Sequence, residues 1–546
     1  MPAETIRMLS SPVNNRRDNV SSIPHEVDEP RFRHILLNVG DITKMFGRLF
    51  DPDGFVFNQG SVRQTGLTIR WVGLKTRSMS AQSDAAFSTV AEVVEGQLCT
   101  SCGACAGACP TEAIDLSENA YGVMVPDIDP DRCTRCGLCV RVCPGHAFDW
   151  PAFRDAIEGG PVENDAIGPC LEAWSGITRD PEILERAQSG GFVSTLLIHA
   201  LETERIDGAV VTRLRPDAPF HAETFIARTR EEVLSAVGSI YLPIPADQII
   251  GTLLKTPGRY AFVGTGCQIE GMRKAEAALP KLGERIALYV GLHCLGVFTR
   301  HFIPHALRHF GLRETDVSRL RFKEKPASGW LCDMRMVDRA GGVHDRDGGP
   351  SRSWPRPFYT NWRCRLCMDK LNEFSDVSCG DCRIESACEA GPDRPAQDPA
   401  RGMSDILVRT ERGREFVQAA AQASLLALRR SDLRAVAETT QVAAKKIGFL
   451  DFAPVARKAG LGVPHNGVVF EPADPGDRDR YESQREGSAR AARFYWRVYR
   501  LMRLAPVRWA LRRLPPRRLR RLNKRHEKHL NHVRMSRAKI RTRRTG

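Results

Sequence analysis

Between residues 99 and 144 the chain reads CTSCGACAGACP, a spacer, and then CTRCGLCVRVCP. Each half carries Cys-x2-Cys-x2-Cys-x3-Cys-Pro. Three thiolates at i, i+3 and i+6 wrap a short loop around one 4Fe–4S cubane, and the fourth, before Pro, ligates the other cluster. The spacing therefore predicts crossed ligation, with Cys99, Cys102, Cys105 and Cys143 on one cluster and Cys133, Cys136, Cys139 and Cys109 on the second. Gly103 and Gly137 suit the tight turns that aim backbone N–H groups at sulfur. Zinc or a disulfide knot is the plain alternative, but zinc sites use two separated Cys pairs rather than three evenly spaced thiols. A chain built on this repeat moves electrons.

Composition narrows the setting. The chain has 546 residues and 17 Cys, enough for two to four units with a substantial core. With no secretory signal at the N-terminus, that cysteine usage points to metal or redox work in a reducing cytoplasm. No run of apolar residues is long enough to span a bilayer. The formal net charge is +15, yet residues 490–546 hold 21 Lys and Arg against one acid, Glu527, so the rest of the chain is net acidic.

The chain divides as follows. Residues 1–85 form a poorly defined N-terminal extension, with an apolar stretch at 34–39, a strand pair around Leu67–Leu74, and a plausible alternative start at Met79. Residues 86–150 are the two-cluster domain, with Phe87, Val90, Val93 and Val94 on one face of a helix packed against it. An α/β body follows in two parts, 165–262 and 263–430. In it Ser189-Gly190-Gly191 opens a helix, Gly238-Ser239-Ile240-Tyr241 lies in a loop, and a strand to Val263 runs through a Gly-rich turn into a helix from about Ile269. Two consecutive strand ends carry Cys267 and Cys294, where open α/β sheets place their ligands. With Cys364-x2-Cys367 they make the four thiols of a third cubane. The rival set is Cys364, Cys367, Cys379 and Cys382, a zinc ribbon. His301, His305 and His309 recur at helical spacing and read as a solvated face.

Residues 431–483 read as a linker and 484–546 as a basic amphipathic or disordered tail, broken by Pro506 and Pro515-Pro516. The fold class is thus α/β (α+β): a ferredoxin-like two-cluster domain, an α/β body for which the resemblance given next implies flavin binding, and a basic helical tail. Phe494, Trp496, Tyr499, Leu501 and Trp509 beside many arginines suit an anionic membrane surface, which would hold the protein peripherally at the inner face of the cell membrane. Nucleic acid is the weaker partner.

The ordered motifs resemble the beta-subunit family of coenzyme F420 hydrogenases and dehydrogenases. They are the cluster domain, Ser189-Gly190-Gly191, Gly238–Tyr241, Val263-Gly264-Thr265-Gly266-Cys267-Gln268, Cys294, Arg321-Phe322-Lys323, Gly329-Trp330, Cys364-x2-Cys367-x-Asp369, Asn372-Glu373 and Asp376–Asp381. The resemblance covers about residues 90–430. It implies FAD, iron–sulfur clusters, and electron passage between ferredoxin or another redox protein and a small-molecule two-electron substrate, which is coenzyme F420 in some members. Chemistry asks for the same converter, because clusters carry single electrons while a flavin also delivers pairs. Ser189, Gly190, Gly191, Gly238, Ser239, Tyr241, Gly264, Thr265 and Gln268 are expected to cradle FAD, and Arg321 and Lys323 to neutralise its pyrophosphate or an anionic substrate. Gly266 stands where the family usually has Pro, and Cys379 where it usually has an apolar residue. The other reading is an electron relay in a larger or membrane-associated complex, without a substrate site of its own.

Overall fold

The computed structural model describes residues 87–157, 159–325, 333–382, 402–530 and 539–545, and a hairpin of β1 (Ser61–Gln64) and β2 (Leu67–Arg70). That hairpin meets the expected strand pair in part, starting earlier in the chain. The 34–39 stretch, Met79 and Gly329-Trp330 lie outside the described residues.

The cluster domain begins with the helix Val90–Glu95. Its Val90 and Val93 are buried with Leu98, Cys105, Ile114 and Cys143, on the face that the apolar spacing predicts. An antiparallel pair, β3 (Ile114–Glu118) and β4 (Met124–Ile128), flanks the cysteine loops.

The body is organised by one mixed sheet. Its strands are β5 (Glu172–Thr178), β6 (Gly208–Leu214), β7 (Ala222–Ala227), β8 (Tyr260–Thr265) and β9 (Ile286–Leu292). A separate antiparallel sheet of β10 (Val317–Glu324), β11 (Asp333–Asp338) and β12 (Val343–Arg346) interrupts the sequence. The main sheet then resumes with β13 (Val377–Asp381), β14 (Ser404–Val408) and β15 (Leu426–Arg430). The spatial order is β15-β5-β14-β13-β9-β8-β6-β7. Strands β6, β8, β9 and β13 run parallel through its centre, and Tyr260, Ala261, Phe262, Leu288, Tyr289 and Val290 are buried there, as parallel strands covered on both faces require. Thr265 pairs with Leu292 across β8 and β9, so the strand-end cysteines are neighbours, as expected.

Two readings of the C-terminal third are corrected. The stretch 431–483 is no linker: it contains the helices Leu433–Thr440 and Val442–Lys458 and the strand β16 (Val468–Pro472), which pairs with β17 (Ile540–Arg544). Within that stretch the Pro- and Asp-rich run at 472–480 starts a further helix, because Asp474 accepts the Gly476 and Asp477 N–H groups and Pro475 takes the first turn, where its missing N–H costs nothing. The tail forms the helices Arg485–Leu501, Ala505–Arg513 and Pro516–Glu527, broken at the prolines as expected. Its apolar stripe turns inward: Phe494, Tyr495, Val498, Tyr499, Val507, Leu511 and Leu519 are buried, while Arg500, Arg517, Arg520 and Arg521 face out. The aromatics named for membrane insertion therefore serve the protein core at Phe494 and Tyr499. His305 is buried against Phe302 and Tyr359 instead of lying on a solvated face. No helix among the described residues is long and apolar enough to cross a membrane.

Candidate iron–sulfur sites

The two Cys repeats fold as near copies. Gly103 and Gly137 both take positive φ, 90° and 72°, and so do Ser101 and Arg135, the residues before the second Cys of each repeat. A Cβ on Gly103 would sit 2.8 Å from Pro245, so the close approach of the body requires glycine as much as the turn does. The loops enclose two cavities. One is lined by Cys99, Cys102, Cys105 and Cys143 with Val90, Val93, Leu116 and Met124. The other is lined by Cys109, Cys133, Cys136 and Cys139 with Thr111, Ile114 and Ile128. These are the crossed sets. N–H groups point at sulfur in both: Ser101 to Cys99 at 3.4 Å, Gly145 to Cys143 at 3.3 Å and Ala113 to Cys109 at 3.3 Å.

The cavities differ in exposure. Cys102, Cys105 and Cys143 are buried, whereas Cys136 is exposed and Cys133 partly so. Burial pushes the Cys99 thiol up to about 12 and drives Cys102 and Cys105 well up. Four such thiols become thiolates only beside a cation, which the iron of a cubane supplies. If ligation is crossed, Cys109→Ala should remove the cluster whose other ligands are Cys133, Cys136 and Cys139. Electron paramagnetic resonance reads this directly, and loss of the Cys99-loop cluster instead would refute the assignment.

In the body, Cys267, Cys294, Cys364 and Cys367 come together. After burial, the Cys294, Cys367 and Cys364 thiols all push Cys267 upward. Gly296 donates to Cys294 Sγ at 3.3 Å, and a Cβ on Gly296 would meet Cys364 Cβ at 2.9 Å. The rival set does not assemble. Cys379 lies inside β13 opposite Leu292 and Ile406, with Ser404, Asp381 and Asp405 around its thiol. Among the described residues no three His, Cys, Asp or Glu side chains converge closely enough to hold a single metal ion.

The residues expected to cradle FAD fall into two groups. Ser189, Gly190, Gly191, Gly238, Arg321 and Lys323 meet at one edge of the sheet. Ser189 Oγ donates to Met403 O, and a Cβ on Gly190 would lie 2.3 Å from Gly176 O. Arg321 donates to Val237 O at 2.7 Å and Arg186 O at 3.0 Å and pairs with Glu324, while Lys323 pairs with Asp381. Ser239 is half-buried beside Gly238, and Tyr241 packs on Phe298 and Phe322 with Arg352 and Arg356 over its ring. Thr265 and Gln268 instead cap the helix Gly266–Ala278: Gln268 Oε1 accepts the Thr265 N–H at 2.8 Å and its amide donates to Ile244 O. That cap starts the helix three residues before the expected Ile269. A Cβ on Gly264 would strike Phe262 and the Gln268 side chain. Thr265, Gln268, Arg321 and Lys323 thus have hydrogen-bond or ion-pair partners within the protein. Arg321 joins two loops rather than presenting a free cation.

Sequence reasoning missed a buried charge network beside the third thiol set. Glu373 accepts from Lys446 and from Arg154, and Asp369 accepts the Asn372 and Glu373 N–H groups. Burial opposes it, yet Arg154, Lys446 and Arg409 hold the Glu373 carboxyl below its ordinary range. Burial, then the Glu373 charge, lifts Asp369 to about 6, and burial lowers Lys446 to about 8. The same region joins the two halves of the protein. Lys274 Nζ donates to Cys143 O and Ala147 O at 2.7 Å, and Arg363 Nε donates to Gly145 O at 3.0 Å. The only sequence signal was local: Asn372-Glu373 and Asp369 beside the Cys pair.

Comparison with known proteins adds three matches. Two fall on the beta-subunit family of coenzyme F420 hydrogenase/dehydrogenase: residues 173–250 match its N-terminal part, and residues 258–433 match its C-terminal part. Residues 98–147 match a 4Fe-4S dicluster domain. The coenzyme F420 hydrogenase subunit beta of Methanosarcina barkeri is 25% identical over 47% of this chain and 80% of that protein. Its counterpart in Methanococcus voltae is 26% identical over 49% and 86%. A chain of the F420-reducing NiFe hydrogenase complex of Methanosarcina barkeri aligns at TM-score 0.39 and 22% identity, over 50% of this chain and 85% of that one.

Proposed function

Because the chain carries both halves of the coenzyme F420 hydrogenase/dehydrogenase beta subunit behind a 4Fe-4S dicluster domain, we propose that it is an iron–sulfur oxidoreductase passing electrons between ferredoxin-type carriers and a two-electron substrate. What supports this reading is the pair of cavities in the dicluster domain, each lined by four cysteines, with Cys267, Cys294, Cys364 and Cys367 near one another in the body. Cys99, Cys102, Cys105 and Cys143 hold one cubane, and Cys109, Cys133, Cys136 and Cys139 a second. Cys267, Cys294, Cys364 and Cys367 hold the third. These clusters supply one-electron storage. The protein's own part is to keep the thiols dry, aim N–H groups at sulfur, and fix the cluster domain against the body through Lys274 and Arg363.

Iron and zinc analysis of the anaerobically purified protein tests the set. About twelve irons per chain are expected, falling to about eight in Cys294→Ala. About eight irons with one zinc in the unaltered protein would restore the zinc ribbon. The substrate side is tested with reduced ferredoxin and a panel of two-electron acceptors that includes coenzyme F420. FAD released on denaturation would supply the one-to-two-electron converter. Clusters without flavin would favour the relay reading, in which the chain serves partner subunits. The pairing of Arg321 and Lys323 within the protein is the observation that keeps that reading alive.

A further inference from the structure

The helix Arg485–Leu501 lies beyond every family match, yet it places one side chain between two of the thiol sets. Tyr499 is buried, and its ring stacks flat on Tyr121 of the β3–β4 turn at 4.8 Å with 2° between planes. Its hydroxyl faces Gln97 Oε1 at 3.4 Å, two residues before Cys99. Its ring also lies 6.3 Å from that of Trp362, two residues before Cys364. Trp496, one turn earlier on the same helix, packs on Trp362 at 4.9 Å, and Trp362 also meets Phe452. The Cys99 and Cys364 thiols both act on the Tyr499 phenol, which burial keeps neutral. One ring thus packs against the segments that lead into Cys99 and into Cys364.

We infer that Tyr499, stacked on Tyr121 and adjoining Trp362, is a shared plug that shuts water out of both the Cys99–Cys143 site and the Cys267–Cys367 site, making the C-terminal helix part of the iron–sulfur housing. This rests on the assignment of a cubane to each of those sets. The apolar shell around a metal centre governs solvent access, and supporting residues typically change metal retention by about 10–100-fold. The plug predicts a signature that ordinary packing does not: one substitution loosens two distant sets of ligands and spares the third, which is already partly exposed at Cys136.

The test is anaerobic release of iron from the full chain to a ferrous chelator. The unaltered protein should lose about four irons quickly, from the exposed set, and about eight slowly. In Tyr499→Ala the slow eight should leave about tenfold faster, with the fast four unchanged. Tyr499→Phe keeps the ring and should stay within about twofold of the unaltered rate. Should Tyr499→Ala give no soluble protein, Tyr121→Ala removes the other half of the stack and must accelerate the same phase. An unchanged slow phase, acceleration of only four irons, or Tyr499→Phe matching Tyr499→Ala overturns the plug while the clusters stand. A total of only about eight irons in the unaltered protein overturns the third site, and the shared plug with it.

Discussion

Stopping the chain after Gly487 is expected to abolish the folded body. The missing segment buries Phe494, Val498, Met502, Val507, Leu511, Leu514 and Leu519. Each such side chain contributes about 1.5–3 kcal/mol when fully buried, so their loss amounts to on the order of 10 kcal/mol or more, against a total stability of about 5–15 kcal/mol. The truncation also removes β17 from its pairing with β16 and takes Ser488 away from Asp451. Soluble yield and near-ultraviolet circular dichroism measure the outcome. A soluble truncated chain with native spectra and full iron content would show that the segment is an appendage after all.

Replacing Lys446 by Met should be the most damaging single change outside the cysteines. Lys446 is fully buried and pairs with Glu373, which is 1% exposed at its side chain. Removing one partner of a buried pair leaves an uncompensated charge and costs about 3–5 kcal/mol. Arg154 still reaches Glu373, which places the expected loss at the lower end, about 3 kcal/mol. A fall in the denaturation midpoint at constant m-value reads it out. Lys446→Met combined with Glu373→Gln should lose less than the two single losses added together, because the second change removes the stranded carboxylate. Additive losses would mean that the two groups do not depend on each other.

The eight cluster-domain cysteines could be read directly because their ligation is local. Three thiols at steps of three residues and a Cys-Pro exit set the loop pattern, and the internal repeat supplies the crossed partner. The third set was half-legible. Cys364-x2-Cys367 announces itself, and strand-end positions already favoured Cys267 and Cys294 over Cys379 and Cys382, but that the two strand ends are neighbours depends on the parallel register of β8 and β9. The residues expected to cradle FAD were less legible for a related reason. A glycine or hydroxyl at a strand end reads the same whether it faces a ligand or another loop. Here Thr265 and Gln268 face each other, and Arg321 faces two carbonyls.

The C-terminal third shows the division most sharply. Beyond residue 484, spacing along the chain was enough to place the breaks at Pro506 and Pro515-Pro516 and an amphipathic stripe of aromatics beside arginines, whereas the helices within 431–483 were read as linker. What the stripe packs against was open, since an apolar face beside arginines suits lipid and protein core alike. Only the assembled body, with Trp362, Phe452 and Tyr121 waiting in place, directs that face inward. Lys446 was hidden likewise: its carboxylate partner lies 73 residues away, and no local pattern separates a lysine that pairs in the interior from one bound for solvent. Periodicity and ligand spacing are short-range properties that a chain carries in its order of residues. The partner of a buried charge or an aromatic face is a long-range property, and it exists only once the sheet has brought distant segments together.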